Sequence, residues 1–300
     1  MKNHRIILCV FSILLLAGGL IAQGQRGAAP QAAGQRGGGG GRGANVTPDT
    51  VFIEEMTWEE VRDAIAAGKT GVIIPIGGTE KNGYHMVLGK HNYVVTYGAN
   101  LLARKLGTAL VAPTLQYVPE GNPDQQDPGE LSLVSPGPYE RLLEAAARSL
   151  KVHRFKDIMF IGDSGGNQNG MRTVAEKLNK EWAGTDVKAF ALTDHYEGGR
   201  EHYRAWMLAS FGYDDQIIGS HAGISDTSQV MYIRPSGIRY EHIKPWGGPR
   251  DSGVSGDPMK ATPEIGRMGV EFKANAAVAQ YRALKNPPAG RGARGSRGGQ

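Results

Sequence analysis

A single cysteine, Cys9, is all the thiol this chain of 300 residues carries, and it sits inside an apolar run from Ile6 to Ile21. Loss of that run would leave no cysteine, which excludes both a disulfide framework and a thiol nucleophile. Acidic residues are missing from both ends. Residues 1–46 hold Lys2, Arg5, Arg26, Arg36 and Arg42, and residues 288–300 hold Arg291, Arg294 and Arg297, with no Asp or Glu in either stretch. The remainder holds 26 basic and 29 acidic side chains, a net of −3, so the overall charge of +5 belongs to the ends. That distribution argues against a nucleic-acid surface on the folded part.

Long apolar stretches are also lacking. Ile6–Ile21 is shorter than the ~20 residues of a spanning helix. With Lys2 and Arg5 before it and small residues at Ala22–Gly24 after it, residues 1–23 read as an export signal. The expectation is an exported protein, periplasmic or extracellular, with no stable membrane span once the signal is cut. Residues 24–47 are rich in Gly, Ala, Gln and Arg with almost nothing to bury, a flexible linker, and 287–300 repeat that composition. Arg-Gly repeats can bind RNA, but an exported chain meets little of it, so no nucleic-acid partner is expected. The folded domain is assigned to residues 48–286.

Within that domain, Thr57-Trp58-Glu59-Glu60 forms a capping box ahead of a short helix. Gly71-Val72-Ile73-Ile74 reads as a buried strand. Helical spacing over Asn92–Leu106 stops at Gly107. Ala109–Ala112 is a short strand, residues 114–135 a long loop, and Pro138 to about His153 an amphipathic helix. The strand Asp157–Ile161 runs into Gly162-Asp163-Ser164-Gly165-Gly166-Asn167. A helix to about Trp182 and a strand Val187–Leu192 follow, and Gln229–Ile233 is assigned as a further strand. Thr262-Pro263-Glu264 caps a last helix to about Leu284. Strands alternating with helices predict an α/β fold, a mostly parallel sheet covered on both faces.

The chemistry-bearing stretch is Pro75–Asn92, which places Glu80, His85 and His91 among glycines after a strand. A carboxylate and two imidazoles suit a hard or borderline divalent metal, although the spacing fits no standard zinc motif. Glu80, Asp163 and the Asp194–His195 pair all follow predicted strands. Ligands bind at the carboxyl ends of strands in an open parallel sheet, so these groups are expected to converge there. His221 to Ser228 supplies a further group. Tyr196, Glu197, Arg200 and His202 read either as a substrate wall or as a solvated helix start.

These residues resemble the creatininase (creatinine amidohydrolase) family. Its motif Glu-Gln-His-Gly-Pro-His-Leu-Pro is matched by Glu80 and His85 within the frame Pro75, Gly77, Gly83 and Gly89. Its Pro-Gly-Thr-Ile-Ser-Leu segment is echoed by Pro128 to Leu133, and its Asn-Gly-His-Gly-Gly-Asn motif corresponds to Gly162 through Asn167. Its His-Ala-Gly-Glu-x-Glu-Thr-Ser motif corresponds to His221 through Ser228, and Gly253 to Pro258 resembles its C-terminal segment. The five blocks span roughly residues 55–285.

The resemblance implies a three-layer α/β/α sandwich with a mostly parallel sheet, a binuclear metal site and a homo-oligomer, often a hexamer. It also implies departures. Glu80 matches a family ligand, but the next ligand, a histidine, is Asn82 here. The bridging Asp is His91, the Gly-Gly-Asn histidine is Ser164, and a glutamate carried by some members is Gly166. On the rebuilt-site reading, Glu80, His91, Asp163, Asp226 and His85 hold a divalent ion (Zn, Mn or Fe; one or two). His221, matching a catalytic histidine, then moves protons alongside Glu80. Asn82, Ser164, Asn167, His195 and Glu130 are assigned to the substrate, and Glu130 replaces the family's usual Thr. The expected activity is metal-dependent hydrolysis of a non-peptide C–N bond in a cyclic or small linear amide. The alternative is an inactive domain that only binds a small molecule.

Overall fold

The computed structural model describes residues 49–120, 135–248 and 252–287. The stretch read as an export signal, the whole linker, the tail beyond Pro287, and the Pro128–Leu133 block with Glu130 lie outside the described residues. The expected capping box is present: Thr57 Oγ1 accepts from the Glu60 N–H at 3.3 Å, and Glu60 accepts from the Thr57 N–H at 2.7 Å. It starts helix α1, Trp58–Ala66.

Four strands follow: β1 Gly71–Ile76, β2 Ala109–Val111, β3 Asp157–Gly162 and β4 Lys188–Ala191. They pair in the order β2-β1-β3-β4, and every pairing among them is parallel. Pro75 is tolerated in the centrally placed β1 because the side on which its N–H is missing faces beyond the end of β2. There its carbonyl accepts from the Leu115 N–H at 2.9 Å.

Helices α2 (Lys90–Leu106) and α3 (Pro136–Val152) link β1 to β2 and β2 to β3, and α4 (Gly165–Glu181) links β3 to β4. After β4 come α5 (Glu197–Phe211), α6 (Asp215–Ile218), α7 (Ile224–Ile233) and α8 (Pro263–Lys285). The period-2 alternation of the strands sends side chains to two cores. Val72, Ile74, Ile158 and Phe160 pack with Leu143, Met171, Val174 and Leu178 of α3 and α4. Ile73, Met159 and Ile161 pack on the other face with Val95, Leu102, Ala277 and Tyr281 of α2 and α8. The result is the helix–sheet–helix sandwich that the alternation of elements predicts.

Two boundaries differ from the sequence reading in ways that matter for the site. Helix α2 begins at Lys90, so Lys90 and His91 form its first turn and do not belong to the preceding loop. Gln229–Ile233 is the last half of helix α7, not a strand. A short run that is mostly apolar has the same pattern in a buried strand and in a helix buried nearly all round. Packing decides it: Gly266 of α8 brings the two helices so close that a Cβ there would collide with the Ser228 carbonyl. No helix among the described residues is long and apolar enough to cross a membrane.

Candidate active site

The carboxyl ends of β1 and β3 open into a cavity of about 170 Å³, walled by α2, α5, α7 and α8. β1 has β2 on one side and β3 on the other, so its carboxyl end is the point where successive connections diverge, the usual place for a ligand crevice. Glu80, Lys90, His91, Asp163, Ser164, His221, Asp226 and Lys273 all line it.

His91 lies between two carboxylates. Its Nε2 is 2.7 Å from Glu80 Oε1 and its Nδ1 is 2.8 Å from Asp163 Oδ2. Both nitrogens must donate, so the ring is an imidazolium. Burial opposes that charge and the Lys90 ammonium opposes it further, but the hydrogen bonds to Asp163 and Glu80 raise the ring to about 9. Lys90 is fully buried with its Nζ 2.6 Å from Asp226 and 3.0 Å from Glu80. Despite burial, the charges of Asp226 and Glu80 raise the lysine above its ordinary range. Lys273, from the middle of α8, donates to Asp163 Oδ1 at 2.7 Å.

The carboxylates respond in kind. Burial favours the neutral form of Glu80, but the His91 hydrogen bond and the Lys90 charge hold it down to about 2. Lys90 likewise depresses Asp226, and Lys273 with His91 depresses Asp163, each against the cost of burial. Three carboxylates thus face three cations. Two cations in the first turn of α2 stand at the positive end of a helix dipole, a penalty of about 0.3–1 kcal/mol each at exposed sites. The close ion pairs outweigh it.

This arrangement does not fit the metal implied by the sequence resemblance. His91 has no lone pair to offer, Lys90 bridges Glu80 and Asp226, and a dication would add charge to a cluster already neutral. Among the described residues, no group of three or more His, Cys, Asp or Glu is arranged to hold an ion. His85, expected as a ligand, lies outside the cavity lining with its Nε2 2.9 Å from Thr227 Oγ1, and burial lowers it to about 4.

Other expected residues are placed differently too. Asn82 is fully buried and its amide nitrogen lies near the carbonyls of Glu80, Val87 and Leu88 at 2.8–3.3 Å, a clasp for the loop and not a substrate contact. Asn167 closes the N-terminal cap of α4 by accepting from the Ser164 N–H at 2.9 Å. His195 is sealed beneath the site with Nδ1 3.3 Å from the Gly162 carbonyl, and burial lowers it to about 4. His221 does reach the cavity. Its Nε2 lies 2.8 Å from the Lys81 carbonyl, so Nδ1 is the face turned to Lys90, at 3.5 Å.

Sequence reasoning missed Lys90, Lys273 and the role of Glu120. Glu120 is buried, and its Oε2 accepts from the Ser164 hydroxyl at 2.9 Å. Burial, and after it the charge of Glu80, push this carboxyl up to about 7 against the pull of His91 and Lys90. Of the group read as a substrate wall or a solvated helix start, Tyr196 and Arg200 line the cavity, whereas Glu197 and His202 are exposed and Glu197 pairs with Arg172 at 2.6 Å. The Arg200 guanidinium donates to the Tyr196 hydroxyl at 3.4 Å and lies 5.9 Å from the centre of that ring, and among the described residues it has no carboxylate partner.

Comparison with known proteins places this geometry. Residues 54–281 match the family model for creatininase, described as creatinine amidohydrolase. A creatinine amidohydrolase of Pseudomonas putida is 36% identical over 80 residues, a stretch covering 27% of this chain and 29% of that protein. The chain therefore matches less than a third of the length of that relative. The crystal structure of a creatinine amidohydrolase (creatininase) superposes with a TM-score of 0.63 at 22% identity, covering 81% of this chain and all of the other. A creatininase described with Mn superposes with a TM-score of 0.61 at 22% identity, over 80% of this chain and all of that one.

Proposed function

The chain belongs to the creatininase family, a family of hydrolases, and from that premise we propose that it hydrolyses the C–N bond of a small, non-peptide amide. The observation that carries this reading is the cavity at the carboxyl ends of β1 and β3. It is smaller than the ~300–1,000 Å³ of pockets that hold drug-sized ligands, and charged side chains from four helices surround it. A compact cyclic or short linear amide suits that volume; a peptide does not.

Arg200 refines the substrate class. A half-buried guanidinium with no carboxylate partner among the described residues is set to take a carboxylate from a ligand. The substrate is therefore a small amide bearing an anionic group, such as a lactam or acylated amine with a carboxylate. Lys90, His91 and Lys273 supply fixed positive charge where an amide oxygen would become negative. The apolar run Ile6–Ile21 supports an exported protein, so the reaction would take place outside the cytoplasm.

The test is a panel of lactams, cyclic ureas, formamides and N-acyl compounds, each with and without a carboxylate, followed by mass spectrometry. The expected result is addition of one water to carboxylate-bearing members, with KM raised about tenfold or more in Arg200→Gln (a charge-assisted contact of ~1.5 kcal/mol or more). Saturable binding by calorimetry with no turnover across the panel would favour a non-catalytic binding domain. The self-neutralised cluster of ion pairs is the feature that favours that second reading.

A further inference from the structure

We propose that Ser164 is a nucleophile and Glu120 its general base, so that the amide reaction proposed above proceeds through an acyl-serine. The segment Gly162-Asp163-Ser164-Gly165-Gly166 reads G-x-S-x-G where a strand turns directly into a helix, with Ser164 in extended backbone (φ −114°, ψ 151°) and not in the strained turn of a nucleophile elbow. The serine stands at the mouth of α4, a helix of 17 residues, and lines the cavity beside Lys90, His91 and Lys273.

A serine at a helix start is often only a cap. Capping uses the oxygen as an acceptor, and Ser164 does accept from the Gly166 N–H at 3.3 Å. It leaves the hydroxyl proton unexplained. That proton goes to Glu120, a buried carboxylate 44 residues away in sequence. Two glycines make the approach possible. A Cβ on Gly78, at φ +158°, would collide with Glu120 Oε1, and a Cβ on Gly166 would come within 2.6 Å of the Pro119 carbonyl. The carboxyl is held near 7 by burial, in the range useful for a base at neutral pH.

The step balances as ordinary acyl transfer. Glu120 takes the hydroxyl proton as Ser164 Oγ bonds to the carbonyl carbon, and the C=O electron pair moves to oxygen beside the cations. Collapse of the adduct breaks the C–N bond, and the amine leaves with the proton from Glu120. Water then attacks the acyl-serine, giving its proton to Glu120. The C–Oγ bond breaks, and Oγ recovers that proton. The sum is amide plus water giving acid plus amine.

The test uses a fluorophosphonate probe on the full chain, with intact-mass and peptide mapping. The probe needs a nucleophilic hydroxyl but no amide substrate. Stoichiometric labelling at Ser164 is expected, with fluoride as the leaving group, and it should slow roughly a hundredfold in Glu120→Gln. Ser164→Gly, which keeps the helix start at a cost of only a few tenths of a kcal/mol, should show none. A wild-type chain that stays unlabelled overturns the proposal. So does turnover of any amide that Ser164→Gly leaves undiminished, although the amide reading then stands. Labelling at Ser164 with no amide turned over leaves the nucleophile in place and overturns the amide reading alone.

Discussion

The ammonium of Lys273 lies 2.7 Å from the carboxylate of Asp163, joining the last helix to the turn after β3 across 110 residues of sequence. Breaking a buried pair from one side leaves a charge without a counter-ion and costs about 3–5 kcal/mol. Lys273→Met should lower unfolding free energy by that amount in urea titration. Lys273→Met combined with Asp163→Asn should cost less than the two single changes added together. Strict additivity would mean that the two groups do not interact.

His91 makes stability depend on alkaline pH. Its folded pKa is raised to about 9 from an ordinary value of about 6.5. A raised cation contributes its full share of stability below the unfolded value and loses it as pH climbs through the folded one. The melting temperature should therefore fall between about pH 6.5 and 9. His91→Gln, less stable by about 3–5 kcal/mol, should lack that component of the fall. The acid side has the opposite sign: Glu80, held down to about 2 from an ordinary 4.5, gives its full contribution above the ordinary value and loses it progressively as pH falls towards the folded one.

Metal removal should change little. Dialysis of the purified chain against a strong chelator is expected to leave the melting temperature and any turnover unaltered, with well under one equivalent of Zn, Mn or Fe by elemental analysis. Near-stoichiometric metal that disappears in Glu80→Ala would show that the ion pairs give way to an ion in solution.

Gly78→Ala addresses the placement of Glu120 without touching a charged group. The new Cβ needs the space that the carboxylate occupies, and the backbone conformation itself costs about 1–3 kcal/mol for a non-glycine residue. Fluorophosphonate labelling at Ser164 should slow at least tenfold, on the scale of ~10²–10⁴-fold for a general base. Circular dichroism should show the same helix content.

Much of the fold was legible because its signals are local. Thr57 and Glu60 cap α1, Gly107 ends α2, and Pro263 sits in the first turn of α8, each detectable within a few residues. The site was legible only as far as it follows strands, which located Glu80, Asp163 and Ser164. Lysines are read from sequence as solvated, so Lys90 and Lys273 passed unnoticed. One trace was available for Lys273: it shares a face of α8 with Val270, Ala274 and Ala277, all buried. A cation at such a position predicts a buried partner. Nothing comparable marked Lys90, whose partners are Glu80 in the loop before its helix and Asp226 on α7. Asn82 and His195 misled in the opposite sense, because a polar side chain near a strand end serves loop closure as readily as chemistry.

The contribution of α8 to the cavity also dictates an order of events during synthesis. The ribosome releases the four strands and the serine turn long before residue 273 emerges, so until then Asp163 lacks its ammonium and the sheet face that packs on Ala277 and Tyr281 stays uncovered. Competence, on this account, arrives with the carboxyl-terminal helix. A chain cut short before it would lack both that ammonium and part of its core.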